Sequence, residues 1–546
     1  MKIVAAVFAD FEESFLGASH LRAALGSRTV IGSTLARLMR VEGLAGRCLF
    51  VRPRDEDAAR SATRAAGLET EIDVVALDDG HRPRRLLMRS ARKWNLESWR
   101  CSVLSSTWFD EYVEPRAVAR VLDHYACEAV LCLEGHQPAL DPGIAAAMVA
   151  HQTDNAAEAD LCFTQAPPGL AGVILRSETT RELLQQELPV GFMLGYRPEI
   201  AQPDPITRAA CHQIDTSVAQ TAARLTGDTR RPRELLSAAF AELGEDVGAG
   251  PLCAWLRRDG NARAGTLPVE VELELTTDDP LPETTLRPRG RRVPTRQLED
   301  LDAVARIAEQ LAAYDDRLLF LGGHGDPLLH PRVDEICRIV RDAGVCGLGV
   351  ATTLVELPDT AFEALFAHHV DVVSVSLDAV NAESYRQLHN VDHFERVIAN
   401  VERIEAARRE RLSPQPLVIS GMTRCAATLP ELEPFFDNWI RKTGSVAVYG
   451  YNAYCGVLPP DSALPLTPPI RGPCRRLGSR LLLLADGRVA RCGQDVSGGY
   501  PLGDWRSESL PAIWAGSALH DLREAHREHK WAGLPLCEVC SEWFRP

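Results

Sequence analysis

Lysine is nearly missing from this chain of 546 residues: it stands only at positions 2, 93, 442 and 530. Chemistry that runs through a lysine Schiff base or a lysine phosphate clamp therefore has few candidates. Excess positive charge is missing too. Sixty Lys and Arg against 75 Asp and Glu leave a formal charge of −15, which argues against nucleic acid or an anionic membrane as the main partner. The local basic run 287–292 (Arg-Pro-Arg-Gly-Arg-Arg) reads as a solvated loop rather than an anion site. No segment approaches the ~20 apolar residues of a membrane span, and the apolar run 3–8 is cut short by Asp10, Glu12 and Glu13. A cytoplasmic protein is expected. Its fifteen cysteines are then read as buried thiols or metal ligands before disulfides are considered.

What is present points to an α/β chain too long for one core. Over residues 1–205, β-rich runs at 3–8, 47–51, 72–77 and 129–133 alternate with helical patterns at 21–41 and 115–126, as a mostly parallel sheet covered on both faces requires. The stretches 25–38 and 129–142 of this domain resemble sugar-nucleotide cytidylyltransferases and other nucleotide-diphosphate-sugar transferase folds. That resemblance implies a glycine-rich, lysine-bearing phosphate loop after the first strand and an acidic metal ligand after a later one. Here the loop reads Ala9-Asp-Phe-Glu-Glu-Ser-Phe-Leu-Gly, without the amide cradle phosphates need. The metal position reads Glu134-Gly-His136, a divalent-ion pair or a polar turn. The expectation is a transferase-like fold that is not a competent nucleotidyltransferase. Residues 206–265 read as a helical connector, with helical spacing at 209–225 and 233–243 and a boundary at 260–265.

From 266 to 456, strand-like runs at 269–275, 318–321, 347–351, 370–377, 417–420 and 446–451 alternate with helices near 296–314, 332–343, 358–368, 391–412 and 429–442. Six βα repeats predict a partial parallel barrel whose site lies at the carboxyl ends of its strands. After the second run comes Phe320-Leu-Gly-Gly-His-Gly-Asp-Pro-Leu-Leu-His-Pro331. Gly322 and Gly323 remove Cβ atoms at a strand end, and Asp326 offers a carboxylate to a cation. Alternation places Ser374, Ser376 and Asp378 on one face of the fourth strand, lining either a cavity or a hydrogen-bonded interior.

These strings resemble the S-adenosylmethionine (SAM) turn and the fourth strand of radical SAM enzymes. The resemblance implies Gly322, Gly323, Asp326, Ser376 and Asp378 as cofactor-facing residues. It also implies three cysteines after the first strand, where this chain has Asp279, Glu283 and Leu286. Oxygen ligands and leucine cannot replace thiolates around iron, so the resemblance carries a degenerate cluster loop with it. SAM is the implied cofactor, but the iron that would reduce it has no ligands here.

Beyond a Pro-rich bridge lies the segment 470–546. Asp486-Gly487 between apolar runs signals a hairpin that returns Cys492 toward Cys474, a helix is expected near 510–530, and Cys537-x-x-Cys540 closes the chain. The order is similar to the SPASM domain, the auxiliary-cluster module of many peptide-modifying radical SAM enzymes. It implies Cys474, Cys492, Cys537 and Cys540 as ligands of one 4Fe-4S cluster, with zinc the competing occupant of a four-thiolate set. Cys425 and Cys455, at the ends of the fifth and sixth strands, could approach this region but read first as buried thiols.

Three functions stay open. The first is an iron–sulfur protein unable to cleave SAM reductively, active in redox, substrate binding or maturation, alone or with an active partner enzyme. The second is an active radical enzyme modifying a peptide or sugar-related substrate. The third is a sugar-nucleotide-binding, transferase-like protein.

Overall fold

The computed structural model describes residues 1–545 except 79–84, 102, 201, 259–264 and 283. The chain folds as two compact units, Met1–Ala262 and Arg263–Pro546.

The first unit is built on a six-stranded sheet in the order Asp73–Ala76, Gly46–Val51, Ile3–Phe8, Ala129–Glu134, Val173–Arg176, Leu161–Cys162. Its first four strands are parallel, and the last two are added through antiparallel pairings, so that only Val173–Arg176 runs against the rest. The central strand is apolar throughout because both faces are covered: Ile3, Ala5 and Val7 enter one core and Val4, Ala6 and Phe8 the other. Helix 115–126 appears as Pro115–Tyr125, whereas 21–41 divides into a two-stranded ribbon at Ala24–Leu25 and Arg28–Thr29 and a helix Val30–Leu38 capped by the Thr29 side chain.

Residues 206–258 pack inside this unit. Leu225, Leu236, Phe240, Leu252 and Trp255 pack in the same core as Ile3 and Val7. Only Thr216–Ala219 of the stretch 209–225 is helical. The Phe163 backbone pairs with Cys211, and Leu225 N–H bonds the Pro168 carbonyl at 2.8 Å, so pairing beside the sheet overrides the helical periodicity.

The second unit carries a nine-stranded sheet. Six strands, Glu270–Glu274, Leu318–Gly322, Gly347–Thr352, Val372–Ser376, Leu417–Arg424 and Val446–Gly450, lie side by side in chain order, all parallel. The helices between them start at caps such as Asp300 and Asn381 and stop at left-handed glycines such as Gly344 and Gly444. This is the expected partial barrel. The C-terminal segment then extends the same sheet: Arg480–Leu483 runs parallel beside the first barrel strand, Arg480 opposite Glu270, and Arg488–Ala490 and Gly503–Asp504 follow antiparallel. Barrel and tail share one core, in which Val271 and Leu273 meet Leu481, Leu483 and Trp514. The helix expected over 510–530 breaks at Gly516 into Leu510–Ala515 and Ser517–Arg527.

Candidate functional site

Three arginine–carboxylate pairs fill the carboxyl end of the barrel strands. Arg296 grips Glu274, the last residue of the first strand, with two bonds of 2.5 and 2.9 Å, both side chains being almost wholly buried. Arg289 Nε lies 2.7 Å from Asp279 Oδ2, and Arg287 Nη2 lies 2.9 Å from Asp378 Oδ2. A paired buried charge is tolerated because each partner replaces the other's water. The basic run 287–292 is therefore not a solvated loop throughout. Arg289 is buried and Arg287 half-buried, while Arg291 and Arg292 are exposed.

The residues standing where cysteines were expected are built into this arrangement. Asp279 pairs with Arg289 and accepts the Leu281 N–H at 2.8 Å. Leu286 is buried in the core. Glu283 lies outside the described residues. Gly323 has a left-handed φ of +83°, and a Cβ there would sit 2.6 Å from the Glu274 Cβ, so the close approach this glycine permits is made by Glu274. The Glu272 and Glu274 carboxylates accept the N–H groups of Gly323 (2.8 Å) and His324 (3.1 Å).

Asp326 Oδ2 accepts from Thr352 Oγ1, Thr353 N and Thr353 Oγ1 at 2.8–2.9 Å, and Oδ1 from Leu328 N at 3.1 Å. Burial and the nearby Asp279 push its carboxyl above the usual range. Asp378 accepts from Thr423 N at 2.7 Å and from Arg287. Burial pushes its carboxyl up, but Arg287, His389 and the Thr423 amide outweigh this and leave it low. Gly322 ends the second strand, Ser376 the fourth, and Ser374 Oγ lies 3.1 Å from Tyr449 Oη. His324 and His389 are buried among these pairs. Desolvation with the Arg289 and Arg296 charges lowers His324 to about 3, and desolvation chiefly lowers His389 to about 4.

The second site gathers sulfur. Cys474, Cys492, Cys537 and Cys540 are electrostatic neighbours, and all fifteen cysteines are free thiols. The predicted hairpin forms, with Leu482 opposite Ala490, and delivers Cys492. Burial pushes Cys474 up, Cys492 up to about 12 and Cys537 up to about 11. Backbone N–H groups favour the opposite, thiolate form: Arg476 and Leu477 donate to Cys474, Gln494 to Cys492, and Glu542 to Cys540 at 3.3 Å. Amides aimed at sulfur stabilise a thiolate whether iron or zinc is bound to it, and this donor set fits a thiolate-bound centre. The sulfurs are neighbours rather than a closed cage: among the described residues no three His, Cys, Asp or Glu side chains are already drawn to ion-holding geometry.

Cys455 belongs to this group, contrary to the expectation of a packing thiol. Its sulfur lies 3.4 Å from the Leu536 carbonyl and 3.6 Å from Gln494 Oε1, and its interaction with Cys540 drives Cys455 up and holds Cys540 down. The Cys455 position just after the sixth strand, on the side where the tail returns, was the available signal. Cys425 is a buried thiol 3.5 Å from Thr428 Oγ1.

In the first unit, His136 is buried with both ring nitrogens engaged: Nδ1 lies 2.7 Å from Glu134 Oε1, and Nε2 accepts the His20 N–H at 3.2 Å. The loop amides face their own acids. Asp10 takes the N–H groups of Glu12 (3.0 Å) and Glu13 (2.9 Å), and Asp55 that of Phe11 (3.3 Å). A small open pocket lies beside them, its lining including Asp10, Glu13, Glu111 and Glu134 and no Lys or Arg.

Among known families, the Radical SAM superfamily model matches residues 282–425, and that of SPASM, an iron–sulfur cluster-binding domain, matches 474–541. An uncharacterized protein of Treponema pallidum is 28% identical over 290 residues, 51% of this chain and 79% of that protein. The GTP 3′,8-cyclase of Chlorobaculum tepidum is 28% identical over 164 residues, 28% of this chain; the match spans 49% of the cyclase's own length. A cytidylyltransferase structure from Leptospira borgpetersenii aligns over 48% of this chain and 96% of its own, at 14% identity and a TM-score of 0.35. The second unit thus carries a Radical SAM superfamily domain followed by a SPASM iron–sulfur cluster-binding domain.

Proposed function

We propose that this chain is an iron–sulfur protein that holds one auxiliary 4Fe-4S cluster on thiolates of its SPASM domain, Cys474, Cys492, Cys537 and Cys540, and does not cleave SAM reductively. Its role is then electron transfer, substrate binding or maturation of a peptide or sugar-related substrate, alone or beside an active enzyme. The observation that carries this reading is the filling of the barrel mouth. Where SAM cleavage needs an iron with an open position, the chain has Asp279–Arg289, Asp378–Arg287 and Glu274–Arg296, and an ion pair offers no soft ligand to iron.

Gly322, Gly323, Asp326, Ser376 and Asp378 keep the positions of a SAM-facing rim. Asp326, however, is spent on Thr352 and Thr353, and Asp378 on Arg287 and Thr423. In the tail, the chain's own contribution is to desolvate the sulfurs and to aim amides at them; the cluster, when bound, supplies one-electron chemistry.

For the first unit we infer a transferase-like sheet, with its domain limit near 205, that does not transfer nucleotides. The occupied amides of 9–14 support this, because Glu12 and Glu13 N–H are spent on Asp10, itself paired with Arg54, and leave no cradle for a triphosphate.

Anaerobic reconstitution with iron and sulfide tests the main reading. We expect about four irons per chain and no 5′-deoxyadenosine from SAM under reduction. About eight irons, or deoxyadenosine released with methionine, overturns it. For the first unit, we expect CTP with magnesium and sugar nucleotides to leave the melting temperature unchanged.

A further inference from the structure

Arg424 breaks the pattern of the barrel mouth, where Arg287, Arg289 and Arg296 each hold a carboxylate. It is the last residue of the fifth barrel strand and is half-buried, with its Nε wholly enclosed. Among the described residues its guanidinium forms no ion pair and no hydrogen bond. Resting on the substrate-binding role read above, we propose that Arg424 and Arg545 form the seat of a carboxylate group carried by the substrate.

The backbone sets the two arginines side by side. In the parallel ladder of the last two barrel strands Arg424 stands opposite Gly450, and opposed residues of a ladder share one face of the sheet, about 4.8 Å apart. Gly450 has no side chain, and the place its Cβ would take is filled by the Arg545 guanidinium, whose Nη1 donates to the Gly450 carbonyl at 2.8 Å. An arginine of the tail thus replaces the missing side chain next to Arg424. Burial, with the charges of Arg476 and Arg424, lowers the Arg545 guanidinium from its usual range against the pull of Glu542.

Charge at this place does not close. Glu542 Oε2 lies 3.0 Å from Arg545 Nε and neutralises that arginine, which leaves Arg424 uncompensated. A guanidinium drawn partly out of water without a counter-ion destabilises the fold, and a bound anion removes the penalty. The surplus is a single positive charge, so the ligand group that fits is a carboxylate, whose plane accepts two parallel N–H bonds from a guanidinium fork. A phosphate dianion would set a second charge against Glu542. Solvent reaches the place: the Arg545 side chain is 25% exposed. The thiol group is adjacent, since the Glu542 N–H donates to Cys540 Sγ at 3.3 Å, so a carboxylate held here brings the rest of the substrate beside the proposed cluster. An acidic peptide side chain and a sugar acid supply the same group.

Melting curves and calorimetric titrations of the full-length protein, at an ionic strength fixed with potassium chloride, separate these sources. The probes are an end-capped hexapeptide with a single glutamate, its glutamine twin, glucuronate, glucose and inorganic phosphate. We expect the glutamyl peptide, glucuronate or both to bind and raise the melting temperature while the uncharged twins do not; a response to the peptide alone names a peptide source, and one to glucuronate alone a sugar acid. Arg424→Gln should weaken that binding about tenfold or more, and Arg424→Lys, which keeps the charge without the fork, should weaken it less. Circular dichroism checks folding, and Arg424→Lys carries the comparison if the glutamine variant does not fold. Carboxylates that do not bind, binding undiminished in the variants, or phosphate held more tightly than either carboxylate overturns the proposal. The same titrations are run with and without iron, so wild-type protein that takes up no iron overturns the cluster reading as a separate result.

Discussion

The barrel mouth and the C-terminal thiol group lie in one compact unit and handle charge in opposite ways. At the mouth, Arg287, Arg289 and Arg296 each meet a carboxylate, and every oxygen of Asp326 and Asp378 has a donor within 3.1 Å. The carboxylates of that region are satisfied as folded, while His324 Nε2 and His389 Nε2 stay buried without a hydrogen-bond partner. In the tail, five sulfurs are crowded together, with backbone amides directed at three of them and the charges of Arg471, Arg476 and Arg491 nearby. The amides and arginines favour thiolate where burial and the neighbouring sulfurs oppose it, a conflict that the metal centre proposed above would resolve. The difference separates a site whose charges are paired within the chain from one whose thiols await a partner in the reading proposed above.

The largest expected effect breaks the tail. Cys474→Ser/Cys492→Ser removes two corners that no neighbouring thiol replaces, so iron should fall from about four per chain to near zero. A structural metal centre of this kind also contributes to folding, so the apo variant should melt lower than the reconstituted wild type. Iron retained in that variant would place the centre elsewhere in the chain.

The next breaks the mouth. Arg296→Met strands the Glu274 carboxylate without its partner in a fully buried position, which should cost about 3–5 kcal/mol. Adding Glu274→Leu should recover most of it, since a buried pair replaced by apolar side chains is often neutral. Urea midpoints of the two variants decide the matter. An unaltered midpoint in Arg296→Met would show that Glu274 is not confined as described.

A pH series sharpens the contrast. His324 and His389 titrate near 3 and 4 when folded and near 6.5 when unfolded. Between those limits the unfolded chain binds more protons, so stability is fully present above pH 6.5 and is lost as pH falls toward 4. Each histidine should contribute on the order of 1.4 kcal/mol per pH unit over that window. His389→Gln, measured by thermal melts of the reconstituted protein, should flatten the slope without moving the iron content.

The legibility of this fold followed burial. The strands Ile3–Phe8, Leu318–Gly322 and Gly347–Thr352 read directly because parallel strands covered on both faces are continuous apolar runs. The hairpin at Asp486-Gly487 read from its turn chemistry. The packing of 206–258 into the first unit did not, because the helical spacing of 209–225 gives way to pairing with Phe163 and Pro168. Nor did the pairing of Arg287 with Asp378, 91 residues away, since charge runs carry no label of their distant partners. Cys455 was seen as a thiol, but its aim depends on the left-handed backbone of Tyr454 and Cys455 that no local preference announces.

The smallest expected effect tests the basic run residue by residue. Arg289→Gln leaves Asp279 buried and unpaired and should cost on the order of 3 kcal/mol, whereas Arg291, exposed two residues along, has no such role and Arg291→Gln should stay within about 0.5 kcal/mol of wild type. The two substitutions remove the same charge from the same loop, so a difference between their urea midpoints isolates burial from net charge. If both shifted stability equally, repulsion within the run would be the cause, and the account of the mouth as a set of discrete buried pairs would fail.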